Sequence, residues 1–121
     1  MIGIGIDAVE VERFRQILAR RPAMARRLFT AGERAYGDKA IDGAPRLAVR
    51  FAAKEAVMKA LGVGVGAFGF HDVEVVSAPS GQPSVVLRGR AAALARERGV
   101  ARWHVSLTHT DSLAQAVAVA L

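Results

Sequence analysis

The sequence predicts an α+β fold: a small mixed or antiparallel sheet around one long central helix, within a single domain spanning residues 1–121. Three observations point there. Residues alternate with period two at both ends of the chain, no proline or glycine interrupts Arg46 to Leu61, and two short apolar runs flank Pro79-Ser80-Gly81-Gln82-Pro83.

Taken in order, Ile2, Ile4 and Ile6 alternate with Gly3 and Gly5, which predicts a first strand from Ile2 to Ile6 with Asp7 at its exit. Val11, Phe14 and Leu18 have helical spacing and Arg13, Gln16 and Arg20 share another face, so an amphipathic helix is expected from Val9 to Arg20. Pro22 suits the first turn of a second short helix. Thr30 and Glu33 have capping-box spacing and open a third, which stops near Gly37; a loop through Gly43 and Pro45 follows. The alanine-rich stretch Arg46 to Leu61, closed by Gly62, is the long helix. At 100° per residue, Leu47, Phe51, Met58 and Leu61 form its core stripe, while Glu55 and Lys59 stack one turn apart beside Ala48 and Ala52, small neighbours that leave space over the two charges.

Gly62, Gly64, Gly66 and Gly69 predict a flexible connector, too irregularly spaced to be a phosphate loop. Asp72 to Ala78 and Ser84 to Leu87 read as a hairpin, and Ala91 to Arg98 as a helix ending at Gly99. Arg102 to His109 and Leu113 to Leu121 form the last strand pair around Thr110-Asp111-Ser112. In the final strand Ala114, Ala116, Ala118 and Ala120 share one face and Leu113, Val117 and Val119 the other; both faces read as buried, which predicts a homo-oligomer.

Composition removes several function classes. The chain has no cysteine, so disulfides, thiolate metal sites and cysteine nucleophiles are excluded. Met1 to Asp7 has no basic n-region and the apolar tail is too short to span a bilayer, so no membrane contact and a cytoplasmic location are expected. The net charge of +6 is concentrated: Arg13, Arg15, Arg20, Arg21, Arg26 and Arg27 lie between residues 13 and 30 with no acid among them. Such a patch suits a polyanion or an acidic protein, and equally a solvated helix face. A nucleic-acid module would interleave aromatics with these cations, yet only Phe14 and Phe29 occur there, both at apolar positions. A non-catalytic oligomeric scaffold would leave the isolated acids described next without a common purpose.

Asp7 closes a strand of glycine and isoleucine, and Glu55 sits inside an alanine-rich helix. A hard cation such as Mg2+ takes one or two carboxylates and completes its shell with water and substrate phosphate. Asp7 also suits a helix N-cap, and Glu55 a salt bridge to Lys59, so the carboxylates alone leave both readings open. Arg50, Lys54 and Lys59 surround Glu55 with cations and suit a phosphate ligand, Arg50 through its planar fork and Lys59 as a point charge. Alternation puts His104, Ser106 and Thr108 on one side of their strand and Trp103, Val105, Leu107 and His109 on the other; His109, at the strand end, suits phosphate binding or proton transfer. His71 and His104 read as core residues. No nucleophile elbow or Ser-His-Asp arrangement is present, so any nucleophile comes from a partner.

Four blocks together resemble the holo-acyl-carrier-protein synthase family of phosphopantetheinyl transferases: Gly3 to Phe14, Arg50 to Gly62, Asp72 to Val75 with Gly81-Gln82-Pro83, and His104 to Thr110. The resemblance implies the 4'-phosphopantetheinyl transferase fold, assembled as a trimer with active sites between subunits. It implies transfer of 4'-phosphopantetheine from coenzyme A to a serine of apo-acyl-carrier protein, with Asp7 and Glu55 holding Mg2+ and Lys59 on the pyrophosphate. Arg46, Arg50, Gly62, His109 and Thr110 become coenzyme A contacts, with Lys39 a further contributor. Arg13, Arg20 and Arg21 become contacts to the acidic helix of the carrier protein. Either Glu55 or water at the metal takes the serine proton. Two departures stand out: Ala8 replaces the family's usual larger aliphatic residue, and the loop from Gly37 to Pro45 carries fewer cations than in some members.

Overall fold

A computed structural model describes residues 1–121. The chain runs β1 (Gly3–Glu10), α1 (Val11–Arg20), α2 (Ala23–Leu28), α3 (Ala31–Asp38), α4 (Ala44–Ala60), β2 (Val73–Ser77), β3 (Pro83–Leu87), α5 (Gly89–Glu97), β4 (Trp103–His109) and β5 (Leu113–Ala120). A 3-10 turn, Phe70–Asp72, leads into β2. Three strands form an antiparallel sheet in the order β1-β5-β4, and β2 and β3 form a separate antiparallel hairpin.

The expected elements are present, with shifted limits that matter for the site. β1 continues to Glu10, where the residue before α1 is extended; Asp7 is therefore a mid-strand residue paired with Ala116, neither an exit residue nor a helix cap. α4 begins at Ala44 and takes Pro45 into its first turn, where a missing N–H costs nothing. The glycine connector is more than a flexible strip, since Phe68 within it is buried in the core.

Register divides the first sheet into unlike faces. Gly3, Gly5, Asp7 and Val9 of β1 lie opposite Ala120, Ala118, Ala116 and Ala114 of β5, and these oppose Trp103, Val105, Leu107 and His109 of β4. This face packs on α4, which contacts all three strands and also β2, α1 and α3. Its small residues serve close approach: a Cβ on Gly3 or Gly5 would overlap the carbonyl oxygens of Ala60 and Ala56. The alanines of α4 are filled contacts too, since Ala48, Ala52 and Ala56 are completely buried, so they do not leave the open space that their size suggested. The other face carries Ile4, Ile6, Val117 and Val119 beside His104 and Ser106. Ile4 and Ile6 are 59% and 60% exposed, and His104 is exposed rather than in the core. Thus only the alanine face of β5 is buried; its Leu113, Val117 and Val119 are half-buried.

Two buried clusters result. One joins Met58, Leu61, Phe68, Val73 and the β5 residues Ala116 and Ala118; the other joins Val11, Phe29, Val49 and Ala114 around an aromatic run in which Phe14 meets Phe29 edge-on at 6.1 Å and Phe51 at 5.4 Å. Thr30 and Glu33 form the expected capping box of α3. Glu33 does more: Oε2 accepts the Val75 N–H at 2.8 Å, and Oε1 meets Lys54 Nζ at 2.7 Å in a pair with no solvent access. Lys54 also donates to the Phe70 carbonyl at 2.8 Å. It is a structural tie between α3, α4 and the segment entering β2, and not one of the cations available to phosphate.

Candidate active site

Three of the predicted residues converge where β1 crosses the C-terminal half of α4. Lys59 Nζ donates to Asp7 Oδ1 at 3.1 Å and to the Ile6 carbonyl at 2.9 Å, which fixes the ammonium against the middle of β1. Asp7 faces α4 because it shares the inward face of β1 with the two glycines that let the helix come close. Glu55 lies one helical turn before Lys59 on the same side. Burial raises its pKa above the ordinary carboxylate range, the negative charge of Asp7 raises it further, and Lys59 opposes both. Two carboxylates thus share the field of a single ammonium, and only Asp7 is in direct contact with it. No group of three or more His, Asp or Glu side chains gathers anywhere in the chain. Two acids lacking one positive charge fit a divalent ion that draws its other ligands from water or substrate.

The predicted phosphate contacts fall into a second group. Five residues separate Arg50 from Glu55, about 140° around the helix, so Arg46 and Arg50 face α3 and β2 while Glu55 lies on the side of Lys59. The Arg50 guanidinium lies 3.9 Å, and that of Arg46 4.5 Å, from the ring centroid of Tyr36. Arg46 donates to the Tyr36 carbonyl at 2.9 Å and Arg50 to Ser77 Oγ at 3.1 Å. Arg50 is buried, its Nε has no partner, and burial lowers its pKa. Beside it Tyr36, Lys39, Ser77 and Pro79 border an open cleft of about 450 Å3.

Gly62 takes φ 73° just past α4 and lines a smaller cleft with Lys59, Ile4 and Arg98. Arg98 donates to the Leu61 carbonyl there. His109 and Thr110 end β4, both exposed; the Thr110 hydroxyl accepts the Leu113 N–H at 3.1 Å and so shapes the turn into β5. His71 is exposed, with Nε2 2.5 Å from the Arg26 carbonyl, and is not a core residue. On α1 and its C-cap, Arg13, Arg20 and Arg21 are exposed around Ile17, itself 38% exposed, with a cleft on either side.

Residues 3–120 match the family model described as the 4'-phosphopantetheinyl transferase superfamily. The chain belongs to this superfamily. Among curated phosphopantetheinyl transferase relatives, a holo-[acyl-carrier-protein] synthase of Salinispora arenicola is 50% identical over 121 residues, covering 99% of this chain and 98% of that protein. The solved holo-[acyl-carrier-protein] synthase of Neisseria meningitidis superposes with a TM-score of 0.90 at 30% identity, covering 100% of this chain and 98% of that one. That of Helicobacter pylori, solved in complex with coenzyme A, gives a TM-score of 0.86 at 27% identity, covering 98% and 99%. No helix of the chain is long and apolar enough to cross a membrane.

Sequence reasoning missed Tyr36 and Ser77 as parts of the arginine site, and Glu33 as the buried partner of Lys54. Their partners lie 10 to 27 residues away on other elements, and no local pattern marks them.

Proposed function

We propose that the chain transfers 4'-phosphopantetheine from coenzyme A to a serine of apo-acyl-carrier protein, releasing adenosine 3',5'-bisphosphate. The observation that carries this reading is the Asp7, Glu55 and Lys59 cluster, with its uncompensated negative charge, in a chain of this superfamily. Asp7 and Glu55 would hold Mg2+, which supplies positive charge for a pyrophosphate and its leaving oxygen. Lys59, pinned by Ile6 and Asp7 yet 53% exposed, presents its ammonium to the same pyrophosphate. The carrier serine oxygen forms the new bond to the phosphorus that bears pantetheine, and the bond from that phosphorus to the bridging oxygen breaks. Glu55, or water held at the metal, accepts the serine proton. Arg46, Arg50, Gly62, His109 and Thr110 bind coenzyme A.

The arginine ridge of α1 receives the acidic helix of the carrier protein. Arg13, Arg20 and Arg21 supply charge and Ile17 an apolar contact between two clefts. Arg20→Glu should raise KM for the carrier about 10-fold or more with little change in kcat at saturation; an unchanged KM would detach this ridge from docking.

Two features favour a homotrimer with sites shared between neighbours. The acids and the arginines of one chain face different sides of α4, and the sheet face with Ile4, Ile6, Val117 and Val119 has no cover within the chain. Sedimentation at micromolar concentration should show a trimer; a monomer would end that part of the reading. The decisive assay mixes the protein with coenzyme A, Mg2+ and an apo carrier, then weighs the carrier by mass spectrometry. The carrier should gain the mass of the phosphopantetheine arm, and an unmodified carrier would overturn the function.

A further inference from the structure

Arg46 and Arg50 pose a physical problem. Both lie against one ring, and neither makes an ion pair with any acid of the chain. Arg50 is 4% exposed, and its neutral partners are Ser77 Oγ at 3.1 Å and, at the limit of a hydrogen bond, the Arg46 carbonyl at 3.5 Å. A buried cation without a paired acid is costly, and both carboxylates nearby are committed elsewhere, Glu33 to Lys54 and Glu74 to other partners. Glu74 also borders the cleft, but its Oε2 accepts from the Thr30 hydroxyl at 2.6 Å and its Oε1 pairs with Arg88 at 3.0 Å. What holds the guanidiniums in place instead is Tyr36: its ring faces both side chains and its carbonyl accepts from Arg46. Ring faces attract guanidinium without consuming its N–H donors, so the forks stay available to an external anion.

We infer that Tyr36 is a positioning residue that holds the Arg46 and Arg50 guanidiniums in place for a terminal phosphomonoester of the nucleotide. The inference rests on the reading above, in which this chain binds coenzyme A through those arginines. A dianionic monoester suits Arg50 and Lys39, which border one cleft, with Arg46 against the same ring, better than a singly charged group does. Tyr36 itself touches no reacting atom in this scheme, so its loss should weaken binding and spare chemistry. The Tyr36 hydroxyl also lies near the Arg50 guanidinium, and the role inferred here is that of the ring face.

The test compares Tyr36→Leu, Tyr36→Phe and Arg50→Gln in the full-length protein. Each variant is measured with coenzyme A and with dephospho-coenzyme A, which lacks the terminal monoester. Tyr36→Leu should raise KM for coenzyme A about 3- to 30-fold, the range that a partly desolvated cation–ring contact supports. It should leave kcat and the KM for dephospho-coenzyme A within about 2-fold, and Tyr36→Phe should behave as the parent does. Equal losses with both substrates would reduce Tyr36 to a structural residue, and a Phe variant as poor as Leu would assign the effect to the hydroxyl; either result overturns the inference. If Arg50→Gln leaves KM unchanged, the phosphate reading of these arginines falls and the role of Tyr36 with it. Calorimetric binding of adenosine 3',5'-bisphosphate against adenosine 5'-monophosphate separates this from a failure of the transfer reaction. A preference for the bisphosphate that Tyr36→Leu removes would sustain the positioning role in a protein that transfers nothing, and the absence of any preference would end it.

Discussion

Lys54 and Lys59 stand five residues apart on α4, each facing an acid from another element, and their surroundings are opposite. Lys54 and Glu33 have no solvent access, and every oxygen of that carboxylate meets a donor: Thr30 N–H and Lys54 on one, Val75 N–H on the other. Lys59 is 53% exposed and Asp7 19%, and a second carboxylate, Glu55, adds negative charge that the lysine cannot balance. One cluster is closed and electrically complete; the other is left one cation short. The same residue types on one helix thus form a closed structural tie or an open, unbalanced cluster, depending on whether the fold finishes the pairing.

The sharpest test of that contrast removes charge from the open cluster. Glu55→Gln should lower turnover by about 10²- to 10⁴-fold, the span expected when a proton acceptor is lost. Thermal stability at neutral pH should stay the same or rise, because the native state holds that charge at a disadvantage. A variant that unfolds, or one that still turns over normally, would erase the distinction. In the closed cluster the effect should fall on stability. Lys54→Met strands the buried Glu33 carboxylate and should cost about 3–5 kcal/mol in denaturant melts. Changing both, with Glu33→Gln added, should cost less than the sum of the single changes.

Gly5→Ala tests whether the open cluster depends on the strand-to-helix distance. The added methyl meets the Ala56 carbonyl, so β1 must move from α4 and carry Asp7 away from Lys59. Overpacking of this kind costs about 1–3 kcal/mol, and activity should fall by more than the stability loss explains. Parallel assays of melting and carrier modification would check it.

Acidification gives the smallest and most specific contrast. The folded pKa of Glu55 is raised, so the native state binds that proton more readily than the unfolded chain; its share of stability grows as pH falls through the raised value and is absent well above it. Glu74 runs the other way. The Thr30 hydroxyl bond, then Arg88, hold its pKa below the ordinary value, so its contribution is present above the unfolded value of about 4.3 and lost as pH falls through the lower folded one. Urea melts across this range should lose the first dependence in Glu55→Gln and the second in Glu74→Gln.

Much of this was legible in the sequence because it is local or periodic. The Thr30 to Glu33 capping box, the period-two ends and the uninterrupted stretch to Leu61 all follow from neighbours within a few residues. Asp7, Glu55 and Lys59 were legible as charges in apolar surroundings, and the structure brings them together. The strand around Asp7 was read too short because Ala8, Val9 and Glu10 break no helical rule, and only pairing with Gln115, Ala114 and Leu113 makes them a strand. Lys54 was read as a phosphate cation because its partner, Glu33, lies 21 positions earlier and had already been explained by the cap. A histidine in an apolar stretch reads as a core residue, whereas the sheet register turns His104 outward and His71 is exposed. Tyr36 offered no pattern at all, since stacking on two arginines of another helix is a purely tertiary event.

The contact of Gly3 and Gly5 with the main chain of α4 has one more consequence. Because peptide atoms meet peptide atoms there, the gap separating Asp7 from the helix is gauged by groups that every amino acid shares. Core side chains elsewhere can be exchanged and the interior can resettle by fractions of an ångström, yet this gauge keeps its setting. Sequences with quite different interiors can therefore keep one spacing between this strand and this helix.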